Sequence, residues 1–242
     1  MRFAIIGGTG LIGSQVVKNL NAAGHEAIPH SQSTGVDVIS GQGLDEAVTG
    51  ADVVVNLTNS PTFDEASPAF FQTSMDNLLA AAHKGGVGHF VFLSIVGTDQ
   101  VPELDYYRAK ALQEQILAAG PIPYSIVRAT QFMEFMDAAM SWTADADTVR
   151  LPATPIQPIA AKDVANAVAE VAAGTPLNGI RNIAGPEIFS LDELGRITLS
   201  HKGDHRTVVT DPTAGMFAVV KGDVLTDNNA RLAPTRYTDW LS

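Results

Sequence analysis

Read for its apolar and polar positions, the chain opens with Phe3-Ala4-Ile5-Ile6, an apolar run too short for a helix and closed by glycine. That pattern predicts a strand buried on both faces. Leu11 to Ala23 then reads as a helix, with Val16, Val17 and Leu20 facing inward. The alternation continues. Glu26 to His30 predicts a second strand, ending in the polar string Ser31-Gln32-Ser33-Thr34 and a short Val36-Asp37-Val38-Ile39, with a short helix near Leu44 to Val48. Ala51 to Leu57 predicts a buried strand, and Pro68 to His83 a long helix with Phe70, Phe71, Met75, Leu78 and Leu79 at helical spacing. His89 to Ile95 and Tyr124 to Arg128 read as strands on either side of a helix from Glu103 to Ala119, which Gly120 and Pro121 stop.

Strands that are near-continuous apolar runs, alternating with helices, call for a parallel sheet covered by helices on both faces. The expected class is α/β, a doubly wound parallel sheet of the Rossmann type. Beyond Ala129 the rhythm breaks: Phe132-Met133-Glu134-Phe135-Met136 crowds apolar side chains, and prolines recur at 152, 155 and 158. A helix is expected from Asp163, which would cap it, to Ala172. Ile180 to Ile183 follows, then a helix start at Ser190-Leu191-Asp192-Glu193 with capping-box spacing. The expected division is a dinucleotide-binding core over 1–130 and a smaller lobe over 131–242 that closes over the strand ends, where doubly wound sheets bind ligands.

Gly7, Gly10 and Gly13 lie three apart between the first strand and the first helix. The first permits a tight turn, the second lets backbone N–H groups approach a pyrophosphate, and the third lets helix pack on strand. Scattered glycines are common in turns, so the spacing gains its meaning from the strand before it and the helix after it. Gly7, Thr9, Gly10, Leu11, Ile12 and Gly13 are therefore the candidate phosphate contacts.

Composition narrows the partners. A formal net charge of −11 argues against a nucleic-acid backbone or an anionic membrane surface as partner. The absence of Cys removes disulfides, Cys metal sites and thiol chemistry together. No apolar run reaches the length of a membrane span, and the N-terminal run lacks the shape of a signal peptide, so a cytoplasmic protein is expected. His201 and His205 are four apart but flank Gly203 with no third ligand near, which reads as a solvated loop. No metal site is expected.

Tyr106 and Lys110 lie four apart near the start of their helix, and so on one face, with Ser94 twelve residues before Tyr106 at the end of a strand. An adjacent ammonium would bring a phenol toward working pH, and the same lysine could hydrogen-bond a ribose. Ser94 could hold a substrate oxygen. Together they make a carbonyl-reducing set, with Tyr106 as the acid. Tyr107, three before Lys110, could face the same way. Phe132, Phe135 and Met136 are equally readable as core or, with Gln131, as the lining of an apolar substrate pocket. Arg128 reads as an ion-pair donor.

These stretches resemble the atypical short-chain dehydrogenase/reductases of the NmrA-like, NAD(P)-binding group. The matching residues are Gly7 to Gly13, Asp52 to Leu57, Phe92 to Ile95, Tyr106 to Lys110 and Ser125 to Phe132, with weaker similarity at Ala161 to Ala165. The resemblance implies that Leu57, Thr58 and Asn59 line the cofactor and that Ala129, Thr130, Gln131 and Phe132 border the nicotinamide. It also implies two kinds of protein, reductases and non-catalytic redox sensors. After the second strand, where an NAD site usually offers a carboxylate to the ribose, this chain has His30, Ser31, Gln32 and Ser33. NADP(H) is thus preferred over NAD(H), although the stretch contains no Arg. The expected activity is NADPH-dependent reduction of a small carbonyl or quinone-like compound. The alternatives are a redox sensor acting on a protein partner, or an epimerase or dehydratase that retains its NAD(P). The long helices could pair two subunits as a homodimer.

Overall fold

The computed structural model describes residues 1–59 and 67–242. Strand β1 (Arg2–Ile6) runs through the glycine turn into α1 (Leu11–Ala22), then come β2 (Glu26–His30), α2 (Leu44–Val48) and β3 (Val53–Asn56). Next are α3 (Ser67–Lys84), β4 (His89–Ile95), α4 (Asp105–Ala119) and β5 (Tyr124–Ala129). The later elements are α5 (Met136–Ser141), β6 (Thr148–Leu151), β7 (Pro155–Ile156), α6 (Ala161–Ala173) and β8 (Gly179–Ala184). The chain ends with β9 (Phe189–Ser190), α7 (Leu191–Lys202), β10 (Thr207–Thr210), β11 (Arg231–Leu232) and α8 (Tyr237–Leu241).

Seven strands form one parallel sheet in the order β11-β8-β5-β4-β3-β1-β2, the Rossmann-like α/β architecture expected from the alternation. Parallel pairing places Ile6 beside His30 on one side and beside Asn56 on the other. Chain order therefore reverses between β1 and β3, and the glycine turn leaves the sheet at that switch point. Because side chains alternate along a strand, one face carries Ala4, Ile6, Val54, Phe90, Phe92 and Ile126, packed with Met75, Leu78 and Leu117 of the helices. The opposite face carries Phe3, Ile5, Val53, Val55, Val91 and Val127, all buried. The short Val36–Ile39 stretch is a turn instead of regular structure, in which Asp37 accepts the Ile39 N–H.

The chain forms two compact units. The first comprises residues 1–128 and 164–181, and the second 129–163 and 182–242. Within the first, the Arg128 guanidinium is buried against Glu114 at 2.9 and 2.5 Å, with Asp99 at 3.2 Å, so it is the ion-pair donor that its place at a strand end suggests. Within the second, α6 starts on Glu134, whose carboxylate accepts the Ala161 N–H and the Trp240 indole N–H. Asp163 does not cap this helix. Its carboxylate accepts the Thr235 N–H and so holds the C-terminal segment.

The expected box at α7 is also absent, since Ser190 makes no side-chain cap bond. Thr210 and Arg196 donate to Asp192 at 2.5 and 2.9 Å. Burial of Asp192 works against its charge, but hydrogen bonds from Ser190, Thr210 and Arg196 bring its carboxyl down to about 2. Tertiary partners outbid the local cap. Among the described residues no helix is long and apolar enough to cross a membrane, and no group of three metal-ligating side chains forms. Gly203 ends α7 in the left-handed region between His201 and His205, so their spacing is not that of one helix face.

A Cβ on Gly13 would fall against the Gly7 carbonyl oxygen and the Gly8 backbone, neither of which can yield without opening the turn. Gly13→Ala should therefore lower the melting temperature by about 2–12 °C, for an overpacking cost of about 1–3 kcal/mol in a domain of this size. Thermal unfolding followed by circular dichroism checks this, and an unchanged midpoint would show that helix and strand do not meet there.

Candidate functional site

The glycine turn is held by its neighbours. The N–H groups of Gly7 and Gly8 both donate to the His30 carbonyl, at 2.8 and 3.2 Å, and the Gly10 N–H donates to Gly7 O at 3.1 Å. Gly7 has φ +80°, and a Cβ there would stand 2.8 Å from Leu57 O. At Gly8 it would stand 2.6 Å from Pro29 Cα. Three strand ends thus converge on backbone alone. Gly10 differs: a Cβ would meet only Gly7 O, at 3.4 Å, so its other side is open. With the N–H groups of Gly7, Gly8 and Gly10 engaged, the donors left at this helix start among the described residues are those of Leu11, Ile12 and Gly13, which α1 cannot satisfy within itself. Gly10 supplies no side-chain cap in their place. Leu11 is exposed and Ile12 buried, so Ile12 could contribute only its backbone. Thr9 is exposed. A cradle of unpaired donors beside an open glycine fits a pyrophosphate.

Next to the turn, Leu57 N–H donates to Ile6 O, while Asn56 Oδ1 accepts both the N–H and the hydroxyl of Thr58 at 3.0 and 2.8 Å. On the β2 side, Ser31 Oγ and Ser33 Oγ are 2.8 Å apart, and Thr34 Oγ1 accepts the Ser31 N–H. Gln32 and Ser33 are exposed. His30 Nε2 is buried without a hydrogen-bond partner among the described residues. Burial, and then the Arg2 guanidinium, hold this imidazole below its ordinary value and hence neutral at pH 7.

Tyr106 and Lys110 do share a face of α4, and Phe71 of α3 is the surface they share. The Tyr106 ring meets Phe71 edge-on at 5.7 Å, and Lys110 Nζ lies 4.8 Å above the same ring and 4.7 Å from that of Phe92. Lys110 Nζ also donates to Leu93 O at 3.3 Å, next to Ser94. Tyr106 donates to Asn59 Oδ1 at 2.6 Å. Tyr107 is buried at the helix base, where its carbonyl accepts from Thr98. Ser94 Oγ is buried and has no partner among the described residues, a condition that costs free energy unless something else fills it.

One expectation is corrected here. The sequence suggests an ammonium that draws the phenol's pKa down, but burial, followed by Tyr107, pushes Tyr106 above its ordinary range. Lys110 is buried too, and burial brings its ammonium down to about 7 against the opposing pull of Glu114. The lysine therefore carries too little charge, in too apolar a place, to lower the tyrosine. Tyr106 stays protonated at neutral pH and, in these surroundings, holds its proton more tightly than an exposed phenol does.

The residues expected near the nicotinamide and substrate belong to the second unit. Ala129, Thr130 and Gln131 are buried, and Thr130 donates its N–H to Ile183 O while its Oγ1 lacks a partner among the described residues. Phe132 bridges to Ile159 through its backbone. Met136 is core, only 2% exposed, which decides between the two readings for that residue. Phe135 is half-buried and meets Trp142 and Phe217 edge-on. Sequence reading missed Phe71 and Phe92 as the aromatic bed of Lys110, because helix and strand periodicity marks them only as inward.

Comparison with known proteins bears on this geometry. Residues 7–174 match the model of the NAD(P)H-binding family, well over half of the chain. The photosystem II assembly factor Ycf39 of Synechocystis is 26% identical over 151 residues, covering 55% of this chain and 46% of that protein. The chain thus spans about half the length of the curated relative it matches. A nucleoside-diphosphate-sugar epimerase from Staphylococcus aureus superposes with a TM-score of 0.74 at 17% identity, over 100% of this chain and 99% of that one. An NADPH-dependent quinone oxidoreductase from Escherichia coli gives 0.70 at 17%, over 99% and 98%. UDP-glucose 4-epimerase from Thermus thermophilus, in complex with NAD, gives 0.71 at 19%, over 87% and 86%. These likenesses are of fold.

Burial of Lys110 has a consequence for stability. Its pKa is near 7 when folded and near 10.5 when unfolded, so between those values the unfolded chain binds the extra proton and stability rises with pH. Below about pH 7 both states are protonated and the cost of the buried charge is present in full. Lys110→Met should be more stable than the wild type by a few kcal/mol near pH 6, with the difference shrinking toward pH 10. Denaturant titrations across that range check it, and a pH-independent difference would overturn the burial.

Proposed function

The chain belongs to the NAD(P)H-binding family, and from that premise we propose that it is a reductase of a small carbonyl or quinone-like compound. The observation that carries the reading is a buried Ser94 hydroxyl with no partner among the described residues, next to the Leu93 carbonyl that Lys110 reaches from the helix face it shares with Tyr106. A bound nicotinamide supplies hydride to the substrate carbon. Ser94 Oγ would hold the substrate oxygen, and Tyr106 would deliver its proton there, exchanging its present hydrogen bond to Asn59 for one to the substrate. Lys110 would steady the ribose more than it tunes the phenol. Leu11, Ile12 and Gly13 would hold the pyrophosphate through their N–H groups. The full-length fold likeness to an NADPH-dependent quinone oxidoreductase supports the substrate class.

For the cofactor we propose NADP(H) over NAD(H). Ser31, Gln32 and Ser33 offer neutral donors, and the first carboxylate after β2, Asp37, is turned to the Ile39 N–H. With no basic residue in that stretch, the preference should be modest.

Two measurements test the proposal. Purified protein should oxidise NADPH when given a quinone or small carbonyl from a panel, and Tyr106→Phe should lower kcat by about 100-fold or more while leaving NADPH affinity unchanged. Cofactor binding without turnover on any of the panel would favour the sensor instead, and a copurifying cofactor with no net oxidation would favour an epimerase or dehydratase. Gly10→Ala should melt like the wild type yet bind NADPH about tenfold more weakly, because its Cβ points into the open side of the cradle.

A further inference from the structure

We infer that Arg128 is a positioning residue of the candidate site: by taking both carboxylate oxygens of Glu114, its guanidinium keeps that carboxylate off the Lys110 amine one helical turn away. This role presupposes the reductase reading, in which Lys110 steadies the ribose. Lys110 and Glu114 lie four apart on α4, and both are buried. That spacing brings two side chains on a helix within about 5–6 Å at their Cβ atoms, close enough for an ion pair. Lys110 Nζ instead donates to Leu93 O at 3.3 Å and lies over the rings of Phe71 and Phe92. Glu114 turns to the end of β5. There Arg128 Nε donates to its Oε1 at 2.9 Å and Nη2 to its Oε2 at 2.5 Å. Nη1 and Nη2 also donate to the two oxygens of Asp99, each at 3.2 Å.

Donor geometry decides which cation Glu114 takes. A guanidinium is charged at every working pH, and its planar fork meets a carboxylate through two parallel bonds, which an ammonium cannot do. The charge of Glu114 is thus offset where it sits. Other charged and titratable groups around Lys110 come from known elements. Its own helix brings Tyr106 one turn before it and Glu114 one turn after. Strand β5 brings Arg128, and the turn after β4 brings Asp99, whose side chain is 54% exposed and bound to Arg128. Strand β4 adds the Phe92 ring and the Leu93 carbonyl, and α3 adds the Phe71 ring, none of which titrates. Glu114 is therefore the counter-charge within reach. With that carboxylate held by Arg128, burial prevails over its pull and the ammonium comes down to about 7. The amine keeps its place at the Leu93 carbonyl, beside Ser94.

The test reads Lys110 itself. In the full chain, free of nicotinamide and carrying isotope-labelled lysine, the Lys110 Cε resonance is identified by its loss in Lys110→Met and followed against pH by NMR. Arg128→Gln should raise its titration midpoint by about one pH unit, tenfold in proton affinity, because Glu114 is released to the ammonium. The double variant Arg128→Gln/Glu114→Gln, which removes the released carboxylate, should return the midpoint to the wild-type value. NADPH affinity should fall about tenfold in Arg128→Gln, where Lys110 is drawn toward Glu114, and recover in the double variant. Should Arg128→Gln fail to fold, Arg128→Lys, which holds one carboxylate oxygen and not both, should still raise proton affinity by about threefold or more. A midpoint unmoved in the single variant that folds, or raised equally in the double variant, would overturn the proposal. So would an NADPH affinity lost equally in both. None of these measurements needs turnover, so a wild-type protein that binds NADPH but reduces nothing would sink the reductase reading and leave the Arg128 titration to be decided on its own.

Discussion

Everything on the nucleotide side of this protein depends on a close approach of backbones at the switch point of the sheet. Gly7, Gly8 and Gly13 are packed against Leu57, Pro29 and one another with no room for a single methyl group. Because these contacts are backbone to backbone, they cannot relax by rotating a side chain. They draw the ends of β1, β2 and β3 together, and they aim the start of α1 at the space above the turn. The His30 carbonyl fastens that arrangement by taking two glycine N–H groups at once. What remains unpaired there, among the described residues, is a short row of helix-start donors, and an anion is their natural complement.

A second constraint, burial, shapes the chemistry beside the turn. Phe71 and Phe92 surround Lys110 with aromatic faces that favour its charge, but the removal of water outweighs them and brings the ammonium down to about 7. Tyr106 responds to the same dryness in the opposite sense and holds its proton. The motif spacing that usually suggests a lysine-activated tyrosine here yields a neutral phenol and a half-charged lysine.

The second unit is built on different terms. Its helices end and begin on side chains distant in sequence, such as Glu134 on Ala161 and Asp163 on Thr235. Local capping signals are overruled wherever a tertiary partner offers a better bond, as Asp192 shows with Thr210 and Arg196. Phe135 meets Trp142 and Phe217 there in ring contacts that no repeat or motif announces.

By itself, the sequence determined the alternation of buried strands and helices, the parallel sheet it demands and the glycine turn at its first crossover. These follow from local periodicity and from the absence of a side chain at fixed positions, which the chain carries wherever it goes. It also put Tyr106 and Lys110 on one helical face, since four residues make about one turn. Only the tertiary structure decided what that pair does, because a pKa depends on how much water the surrounding elements exclude, and Phe71 and Phe92 come from other parts of the chain. The same holds for Met136, which became core while Phe135 met Trp142 and Phe217. Apolar spacing says that a residue faces inward, but which neighbours wait there is a matter of packing between segments distant in sequence.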